Sequence, residues 1–544
     1  MAIILAISVN RSETKSEEVK NSPAQPDQLK EMQERAAQTK RADWGNWGFQ
    51  PDNYMQWDQH SNRLIPVYTF GITLNQLREE GSPYRDPKRL KNLYGTVPKS
   101  TVNPHADYYD QTDIFRLQRQ AVEAGYRHII LIVFDGMDWQ TTHAAACYKQ
   151  GKVAYQSGRG RGLSFLEDYR VTTDFGLVCT SALLGSAQTD VNAQTVTSEG
   201  ILTTGGYDVV RGGHAPWNEP TTTSYLLGKD RELPHTVTDS AASATSMTCG
   251  VKTYNGSINY TASGDQLVPI ARDLQQGAGF KVGIVSSVPI SHATPAAAYS
   301  NNVTRKDYQD ISRDLLGLRS VSHKTTALQG LDLAIGGGWS PDLTEDTGQG
   351  SNYLPGNRYL HQSDLKAANV DHGGNYVVAT RSVGKNGSQI LSEATDRAIA
   401  EKKRLLGFFG TRYDGHLPFQ TADGGYDPAS DGKEREVYSE EDQSENPTLA
   451  QMTRAALQYM SSNEQKFWLM IEAGDVDWAN HSNNIDNSIG AVFSGEAAFN
   501  EVMQWADEQQ VWDNTAVIVT SDHGHFFVNR NPEAIAGANH AVTE

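Results

Sequence analysis

Four continuous apolar runs recur along the chain, and each of them ends in polar or acidic residues. They are HIILIVFDGMD (128 to 138), KVGIVSSVPISHATP (281 to 295), KFWLMIEAGDVD (466 to 477) and NTAVIVTSDHGH (514 to 525). Continuous runs of this kind are typical of strands that are buried on both faces of a parallel sheet. The pattern therefore predicts four strands of such a sheet.

Helical periodicity appears between these runs. In NPTLAQMTRAALQYMSSN (446 to 463), apolar side chains return at helical spacing at Leu449, Met452, Ala456 and Tyr459. Alternating strands and helices predict an α/β fold. Ligands of such folds bind beyond the carboxyl ends of the strands, so the carboxylates and histidines that end the four runs are candidate functional groups.

The segments outside these runs divide the chain into three regions. Residues 1–43 are largely polar and charged, which predicts a mobile N-terminal arm. Residues 44–124 begin with closely spaced aromatic side chains, which predict a decoration packed on the main body and not a ligand-stacking surface. Residues 125–544 form the main domain, with surface insertions near 186–234 and 411–446 that are rich in Gly, Thr, Asp and Glu.

Composition narrows the classes of partner. The chain has 65 acidic and 47 basic side chains and a formal charge of -18, which disfavours binding to nucleic acids and anionic lipids. The apolar stretch Ala2 to Ile7 is too short to span a membrane, and the sequence leaves open whether it is the remnant of a signal peptide. An anionic small substrate would require a bound cation or a buried arginine.

Two of the strand ends carry residues suited to metal binding. Asp477 and His481 are four residues apart and can share one helical face, which suits zinc, whereas Glu472 is a hard oxygen ligand of the kind that magnesium prefers. The alternative is a solvated loop at the start of a helix. The second strand end supplies Asp522 and His523, for which a structural role is the alternative.

Together these groups predict two zinc ions and a third, harder cation. Asp135, Glu472 and an oxygen donor such as Thr294 are left for the third ion. Asp135 on its own is also compatible with an ordinary Asp-Gly turn.

The segment HTVTDSAASATSMTCGVKTYNG (235 to 256) contains a candidate nucleophile, Ser240, directly after Asp239. Ser240 stands where a helix of small residues would begin, so backbone N–H groups and the helix dipole favour an anion beside it. A zinc ion on the serine oxygen would lower its pKa without a histidine base. The alternative is an ordinary N-cap. Arg305 is one candidate among the arginines for gripping a phosphate.

These motifs resemble those of bacterial alkaline phosphatases. VTDSAASATSMTCGVKTYNG resembles the nucleophile segment of that family almost residue for residue, and FDGM, SHATPAAAYSNNVTR, IEAGDVDWANH and TSDHGH resemble its metal and arginine blocks in type and order. The resemblance spans roughly residues 125 to 530. It implies a three-layer α/β sandwich with a mostly parallel central sheet flanked by helices.

The resemblance also implies a role for each matched residue. Ser240 would be the nucleophile, Arg305 the phosphate clamp and Asp239 the residue that orients the arginine. The first zinc would be held by Asp477 and His481 with His525 in support, the second by Asp135, Asp522 and His523, and magnesium by Asp135, Thr294 and Glu472. His292 replaces an aspartate that supports the magnesium water shell in some members, and Trp478 replaces a lysine or histidine.

The function that follows is metal-dependent hydrolysis of small phosphate monoesters through a phosphoserine, releasing inorganic phosphate. The alternatives are a phosphodiesterase or sulfatase of the same superfamily, or a non-catalytic phosphate-binding relative with an incomplete zinc site. The resemblance implies a periplasmic or secreted protein and is compatible with a homodimer. The natural substrate and the oligomeric state are not encoded in these motifs.

One ligand expected from the resemblance has no match in this sequence. The family supplies a third ligand of the first zinc from a His-Thr-Gly type segment, and the sole histidine after His525 is His540, in GANHAVTE. Its surroundings do not match. We therefore expect the first zinc to be held weakly by Asp477 and His481 alone, with His540 as the alternative third ligand.

Overall fold

The computed structural model describes residues 27–198, 204–218, 222–341, 346–431 and 435–539. The strands are β1 Gly45–Trp47, β2 Ile65–Phe70, β3 Tyr109–Asp110, β4 His128–Phe134, β5 Thr173–Cys179, β6 Leu184–Ser186, β7 Gln188–Asp190, β8 Thr195–Thr197, β9 Tyr254–Asn255, β10 Lys281–Pro289, β11 Leu333–Gly337, β12 Tyr376–Thr380, β13 Arg404–Phe408, β14 Phe467–Ala473, β15 Thr515–Thr520 and β16 Phe527–Asn529.

The α-helices in the first half of the chain are α1 Gln28–Thr39, α2 Asn75–Glu80, α3 Pro87–Tyr94, α4 Thr112–Glu123, α5 Trp139–Gln150, α6 Ser164–Glu167, α7 Val209–Gly212, α8 Thr223–Leu226, α9 Ser240–Cys249 and α10 Ile270–Ala278. Those that follow are α11 Ala293–Ala297, α12 Tyr308–Leu315, α13 Gln362–Ala368, α14 Gly387–Glu401, α15 Glu440–Ser444, α16 Leu449–Ser461, α17 Asp475–His481, α18 Ile485–Gln509 and α19 Pro532–Gly537. No described helix is long and apolar enough to cross a membrane.

A ten-stranded sheet forms the centre of the molecule. Its strand order is β12-β13-β11-β10-β14-β4-β15-β2-β5-β3. All neighbouring pairs are parallel except those that β2 makes with β15 and β5, so β2 alone runs against the others. The four predicted strands are confirmed, and they lie side by side as β10, β14, β4 and β15.

Helices cover both faces of this sheet. Along β4, Ile130 and Ile132 belong to one apolar core, whereas Ile129 and Leu131 belong to the other. The first core contains side chains of α5, α16 and α18, and the second contains side chains of α4, α9 and α10. The predicted three-layer α/β architecture with a mostly parallel sheet is therefore confirmed.

The prediction of a mobile arm over residues 1–43 is wrong for residues 28–39, which form α1. Leu29 and Ala36 of this helix are buried in the main core. Gln33 accepts a hydrogen bond from the backbone N–H of Ile485 at 3.1 Å and so satisfies a donor at the start of α18. The few apolar side chains of this polar segment lie on one face of the helix, and their burial anchors it. Residues 1–26, including Ala2 to Ile7, lie outside the described part of the chain.

Residues 44–124 are more than a decoration, because they supply β2 and β3 of the central sheet and α4, which packs on it. β2 is fully buried between β15 and β5. Trp44, Trp47 and Tyr54 are buried in the main core, in agreement with a packing role for these aromatic side chains, whereas Phe49 is half exposed.

The predicted insertions are only partly on the surface. In the first, the β7–β8 hairpin is largely exposed, but Tyr207 and Tyr225 pack with Tyr108 in a small core of their own. In the second, Leu417 and Ala422 enter the main core. In both segments the apolar side chains are scattered among glycines and acidic residues, so the composition does not indicate these buried contacts.

Candidate functional site

The predicted site residues converge at the carboxyl ends of the four central strands. Asp135 follows β4, Asp522 follows β15, and Glu472 lies near the end of β14 opposite Ser286 of β10. Parallel strands end at the same edge of a sheet, so side chains hundreds of residues apart in sequence are brought into one cleft.

Ser240 is the first residue of α9, as the sequence predicts. Asp239 is the N-cap, and its Oδ1 accepts a hydrogen bond from the N–H of Ala242 at 3.0 Å. The segment that follows is a run of small side chains and lies buried against α4 and α11, which large side chains would not permit. The Ser240 hydroxyl is thereby fixed at the positive end of a helix.

The first metal-capable cluster surrounds this hydroxyl. It consists of Asp135, Asp522 and His523, all buried. Ser240 Oγ lies 3.2 Å from His523 Nε2 and 3.5 Å from Asp135 Oδ1. The carbonyl oxygen of Asp522 accepts hydrogen bonds from Ser243 Oγ at 2.9 Å and Gln111 Nε2 at 2.8 Å, which hold the strand end in place.

A glycine permits the close approach of these groups. Gly136 has a φ of +70°, and a Cβ atom there would lie 2.8 Å from the His525 ring and 3.0 Å from Asp477 Cα. Its N–H donates to Asp522 Oδ1 at 2.9 Å. The Asp-Gly dipeptide therefore forms a turn and also shapes the site. A side chain at position 136 would push His525 and Asp477 away from the end of β4.

The second metal-capable cluster consists of His60, Asp477, His481 and His525. Asp477 and His481 share one face of α17, as predicted, with His481 Nε2 3.5 Å from Asp477 Oδ2. His525 Nε2 lies 2.6 Å from Asp477 Oδ1, a hydrogen-bonding distance that suits the supporting role expected for it. The two clusters touch, since His523 Nε2 is 3.8 Å from Asp477 Oδ1.

The predicted magnesium ligands lie on the other side of Asp135. Its Oδ2 accepts a hydrogen bond from Thr294 Oγ1 at 3.4 Å, while its Oδ1 faces His523 at 3.4 Å. The Glu472 carboxylate accepts a hydrogen bond from the Ser286 hydroxyl. The two oxygens of Asp135 thus point to different groups, as a bridging carboxylate requires.

His292 is surrounded by aromatic rings. Its ring lies parallel to that of Tyr308, with centroids 5.6 Å apart, and 5.2 Å from that of Trp478. Burial and the positive charge of Arg305 lower the pKa of His292 to about 3, so the imidazole is neutral. The two positions that depart from the family pattern therefore contact each other.

Arg305 is held over the start of α9. Its Nη1 donates to Asp239 Oδ2 at 3.1 Å, and the same oxygen accepts from the N–H of Gly256 at 3.0 Å. One carboxylate thus caps the helix with one oxygen and orients the guanidinium with the other. The remaining N–H groups of a guanidinium in this position can reach an anion bound next to Ser240.

The electrostatics of the cleft favour a bound cation. Burial, with repulsion from neighbouring carboxylates, raises the pKa of Glu472 to about 8 and that of Asp522 to about 6, and raises that of Asp135 strongly. Burial alone would also raise the pKa of Asp477, but His481 and the hydrogen bond from His525 outweigh it and lower this pKa well below its usual value. Crowded buried carboxylates of this kind need a positive partner.

The donor atoms also fit metal ions. Within the described residues, Asp522 Oδ2 is buried without a hydrogen-bond partner, although it lies 3.3 Å from His523 Nε2. A carboxylate oxygen and an imidazole nitrogen that converge without sharing a proton match the ligand chemistry of zinc. Asp135, Thr294 and Glu472 offer only oxygen, which suits magnesium.

His60 is the residue of the cleft that the sequence interpretation missed, and it lies in the second metal-capable cluster with Asp477 and His481. It lies in the polar segment QWDQHSN (56 to 62), far from every other site residue in sequence. In the structure its Nε2 is 3.3 Å from His481 Nε2 and 3.8 Å from Asp477 Oδ1. His540, the alternative, lies outside the described residues.

Comparisons with known proteins give the same family. The sequence profile of the family described as alkaline phosphatase matches residues 220–542, more than half of the chain. Alkaline phosphatase 4 of Bacillus subtilis is 25% identical over 410 residues, which cover 74% of this chain and 68% of that protein. Alkaline phosphatase of Escherichia coli is 30% identical over 325 residues, which cover 56% of this chain and 61% of that protein.

The crystal structure of Thermus thermophilus alkaline phosphatase is a more distant structural match, at 23% identity and a TM-score of 0.43. It aligns with 73% of this chain, and the alignment covers 60% of that structure.

The residues matched by the family profile, 220–542, include Ser240, Arg305, Asp477, His481, Asp522 and His523. The protein is therefore a member of the alkaline phosphatase family.

Proposed function

We propose that the protein hydrolyses phosphate monoesters through a phosphoserine at Ser240 and that it uses two zinc ions and one magnesium ion. The observation that carries this proposal is the position of Ser240 Oγ, 3.2 Å from His523 Nε2 at the start of α9, next to an arginine fixed by Asp239. A nucleophile, a metal-capable cluster and a phosphate clamp thus meet at one point.

Three sets of residues would hold the metals. Asp477 and His481 would hold one zinc, Asp135, Asp522 and His523 the other, and Asp135, Thr294 and Glu472 the magnesium. Bound zinc and magnesium supply positive charge that lowers the pKa of an adjacent hydroxyl and stabilises the oxygens of a transferring phosphoryl group. The chain's own residues supply the nucleophile and its position.

In the first half of the reaction, Ser240 Oγ forms a bond to phosphorus as the bond from phosphorus to the ester oxygen breaks. The serine loses its proton and the departing alcohol takes one up. In the second half, water attacks phosphorus, the bond to Oγ breaks, and Ser240 regains its proton as inorganic phosphate leaves. Arg305 stabilises the equatorial oxygens in both halves, because its planar fork matches two phosphate oxygens.

The positive groups of the cleft favour a phosphate monoester over a diester. A guanidinium and two metal clusters together can neutralise three unesterified oxygens, and a diester replaces one of these oxygens with a bulky neutral group. Sulfatases require a maturation context with nearby Pro and Arg, which the residues around Ser240 lack.

The test is a comparison of three substrates with one leaving group, on protein loaded with zinc and magnesium. Nitrophenyl phosphate, bis(nitrophenyl) phosphate and nitrophenyl sulfate are assayed side by side. We expect the highest kcat/KM for the monoester. A preference for the diester or the sulfate would replace the proposed reaction with another of the same superfamily, and no turnover of any of them would support a non-catalytic relative.

A further inference from the structure

The segment from Trp57 to Ser61 places His60 beside Asp477 and His481. We propose that His60 is a ligand of the metal ion that Asp477 and His481 bind. This inference rests on the proposed function, since it assumes that a metal ion occupies this cluster. It assigns the third protein ligand to the N-terminal region of the chain.

The backbone on both sides of His60 is tied to the site. The N–H of Ser61 donates to the carbonyl oxygen of Gly524 at 2.6 Å, and Ser61 Oγ accepts from the N–H of Phe526 at 3.0 Å. The carbonyl oxygen of Trp57 accepts from Asn483 Nδ2 at 2.9 Å, just beyond α17. His60 is thus held by both segments that carry the other residues of the cluster.

Hydrogen bonds fix the tautomers of the two facing imidazoles. His60 Nδ1 lies 3.0 Å from the carbonyl oxygen of Thr238, and His481 Nδ1 contacts the carbonyl oxygen of Asp58. A carbonyl oxygen only accepts, so both Nδ1 atoms carry the hydrogen. In the neutral rings both Nε2 atoms then present a lone pair, the arrangement that backbone carbonyls impose on metal-binding histidines.

The two Nε2 atoms face each other at 3.3 Å. Two lone pairs cannot form a hydrogen bond with one another, so the contact requires a positive partner between them, either a proton or a metal ion. Two nitrogens that each lie about 2.0–2.1 Å from one tetrahedral zinc are about 3.3 Å apart. The observed separation therefore matches that expected for two ligands of one zinc ion.

His525 does not compete for this role. Its Nε2 lies 2.6 Å from Asp477 Oδ1, so this atom donates its hydrogen to the carboxylate and positions it. Asp477, His481 and His60 remain as a set of one carboxylate and two imidazoles. Three protein ligands with a fourth position left open are typical of catalytic zinc sites.

A metal-binding titration tests the inference without an activity assay. Apo protein competes with a chromophoric chelator for zinc, and the wild type is compared with His60→Ala and with His105→Ala, whose histidine is exposed. We expect two tight sites in the wild type and in His105→Ala. In His60→Ala, one site should weaken by more than the roughly 10- to 100-fold typical of losing an outer-shell partner, while the other stays tight.

A cysteine at the same position gives a second readout that requires direct coordination. Cobalt is substituted for zinc in His60→Cys and in the control His105→Cys. A thiolate bound to cobalt produces an ultraviolet charge-transfer band, so we expect this band in His60→Cys only. A folded His60→Cys with two bound cobalt ions and no such band would overturn the inference.

The outcomes separate this inference from the proposed function. If the wild type binds no zinc, the proposed metal-dependent function fails. If the wild type binds two zinc ions and His60→Ala binds both with unchanged affinity, only the assignment of His60 fails. Loss of a site in His540→Ala but not in His60→Ala would transfer the third ligand to His540 and overturn the inference as well.

Discussion

Arg305 donates to Asp239 Oδ2 at 3.1 Å, and the other oxygen of the same carboxylate caps the helix that Ser240 begins. The clamp and the nucleophile are therefore positioned by one side chain. A displacement of Asp239 would move both at once.

We expect Arg305→Ala to lower kcat/KM for a phosphate monoester by about 100-fold, because one preorganised donor to the transition state is lost. Inhibition by inorganic phosphate should weaken in parallel. Asp239→Asn should have a smaller effect on both, since it keeps the cap but removes the charge that holds the guanidinium. Steady-state kinetics with phosphate as inhibitor provide the measurement, and equal phosphate affinity in Arg305→Ala and wild type would contradict the clamp.

Replacement of the nucleophile should abolish the covalent intermediate. Ser240→Ala is expected to lower kcat by at least about 10³-fold and to yield no labelled protein when trapped with radioactive monoester. Ser246→Ala is the matched control, because this serine lies on the same helix and its hydroxyl donates to the carbonyl oxygen of Ala242. Labelled Ser240→Ala protein would show that another residue is phosphorylated.

A carboxylate at position 292 should strengthen magnesium binding. The neutral imidazole of His292 is a poorer partner for the water shell of magnesium than a carboxylate would be. We expect activation of the wild type by added magnesium and, in His292→Asp, a Kd for magnesium about tenfold lower. Calorimetric titration of zinc-loaded protein measures this. His292→Asn controls for loss of the ring. A magnesium titration of His292→Asp that matches the wild type would count against the placement of residue 292 beside the magnesium site.

The N-terminal helix should contribute measurably to stability. Leu29 is fully buried in the main core, so Leu29→Ala is expected to lower the free energy of unfolding by about 2–5 kcal/mol. Gln38, at the exposed end of the same helix, is the control, and Gln38→Ala should change stability by less than about 0.5 kcal/mol. Denaturant titration distinguishes the two. Equal effects would mean that α1 does not dock in solution.

Asp486 should make stability depend on pH. Burial, with repulsion from Asp27, raises its pKa from 3.8 to about 7. Because the folded pKa is the higher one, the folded state keeps the proton that the unfolded state loses. The stabilisation is complete below pH 3.8 and is lost as pH rises to about 7.

At about 1.36 kcal/mol per pKa unit, the size of this effect is on the order of 4 kcal/mol. It is measured as the difference in unfolding free energy between wild type and Asp486→Asn at several pH values. Asparagine does not titrate, so the wild type should lose stability relative to the variant across this window. A difference that is independent of pH would show that the carboxyl group is not protonated on folding.

The sequence predicted those parts of the fold and site whose signals are local. β4, β10, β14 and β15 are continuous apolar runs, and the chemistry of Asp522 and His523 follows directly after one of them. Ser240 could be identified because the small residues after it mark a helix start. Each of these features is encoded within about one turn or strand of the residue concerned.

The parts that could not be predicted depend on contacts between distant segments. His60 lies in a polar loop whose sequence does not indicate its position, and contacts with distant segments hold it in the cleft, among them the hydrogen bonds of Ser61 with Gly524 and of Trp57 with Asn483. β2 runs antiparallel to its neighbours β15 and β5. The direction of a strand depends on how the chain connects it to the rest of the sheet and not on the composition of the strand. Similarly, α1 has a few buried side chains, and the helix packs against α18, which begins more than 400 residues later.

The place of β15 in the sheet has a consequence for how the protein is made. β15 lies between β4 and β2, both of which precede it by most of the chain. While the chain is being synthesised, the facing edges of these two strands therefore await a partner that is translated several hundred residues later. Unpaired apolar strand edges are templates for aggregation. Nascent chains that stop before Thr515 should consequently need a chaperone, and the cleft can assemble only after β15 has inserted between β4 and β2.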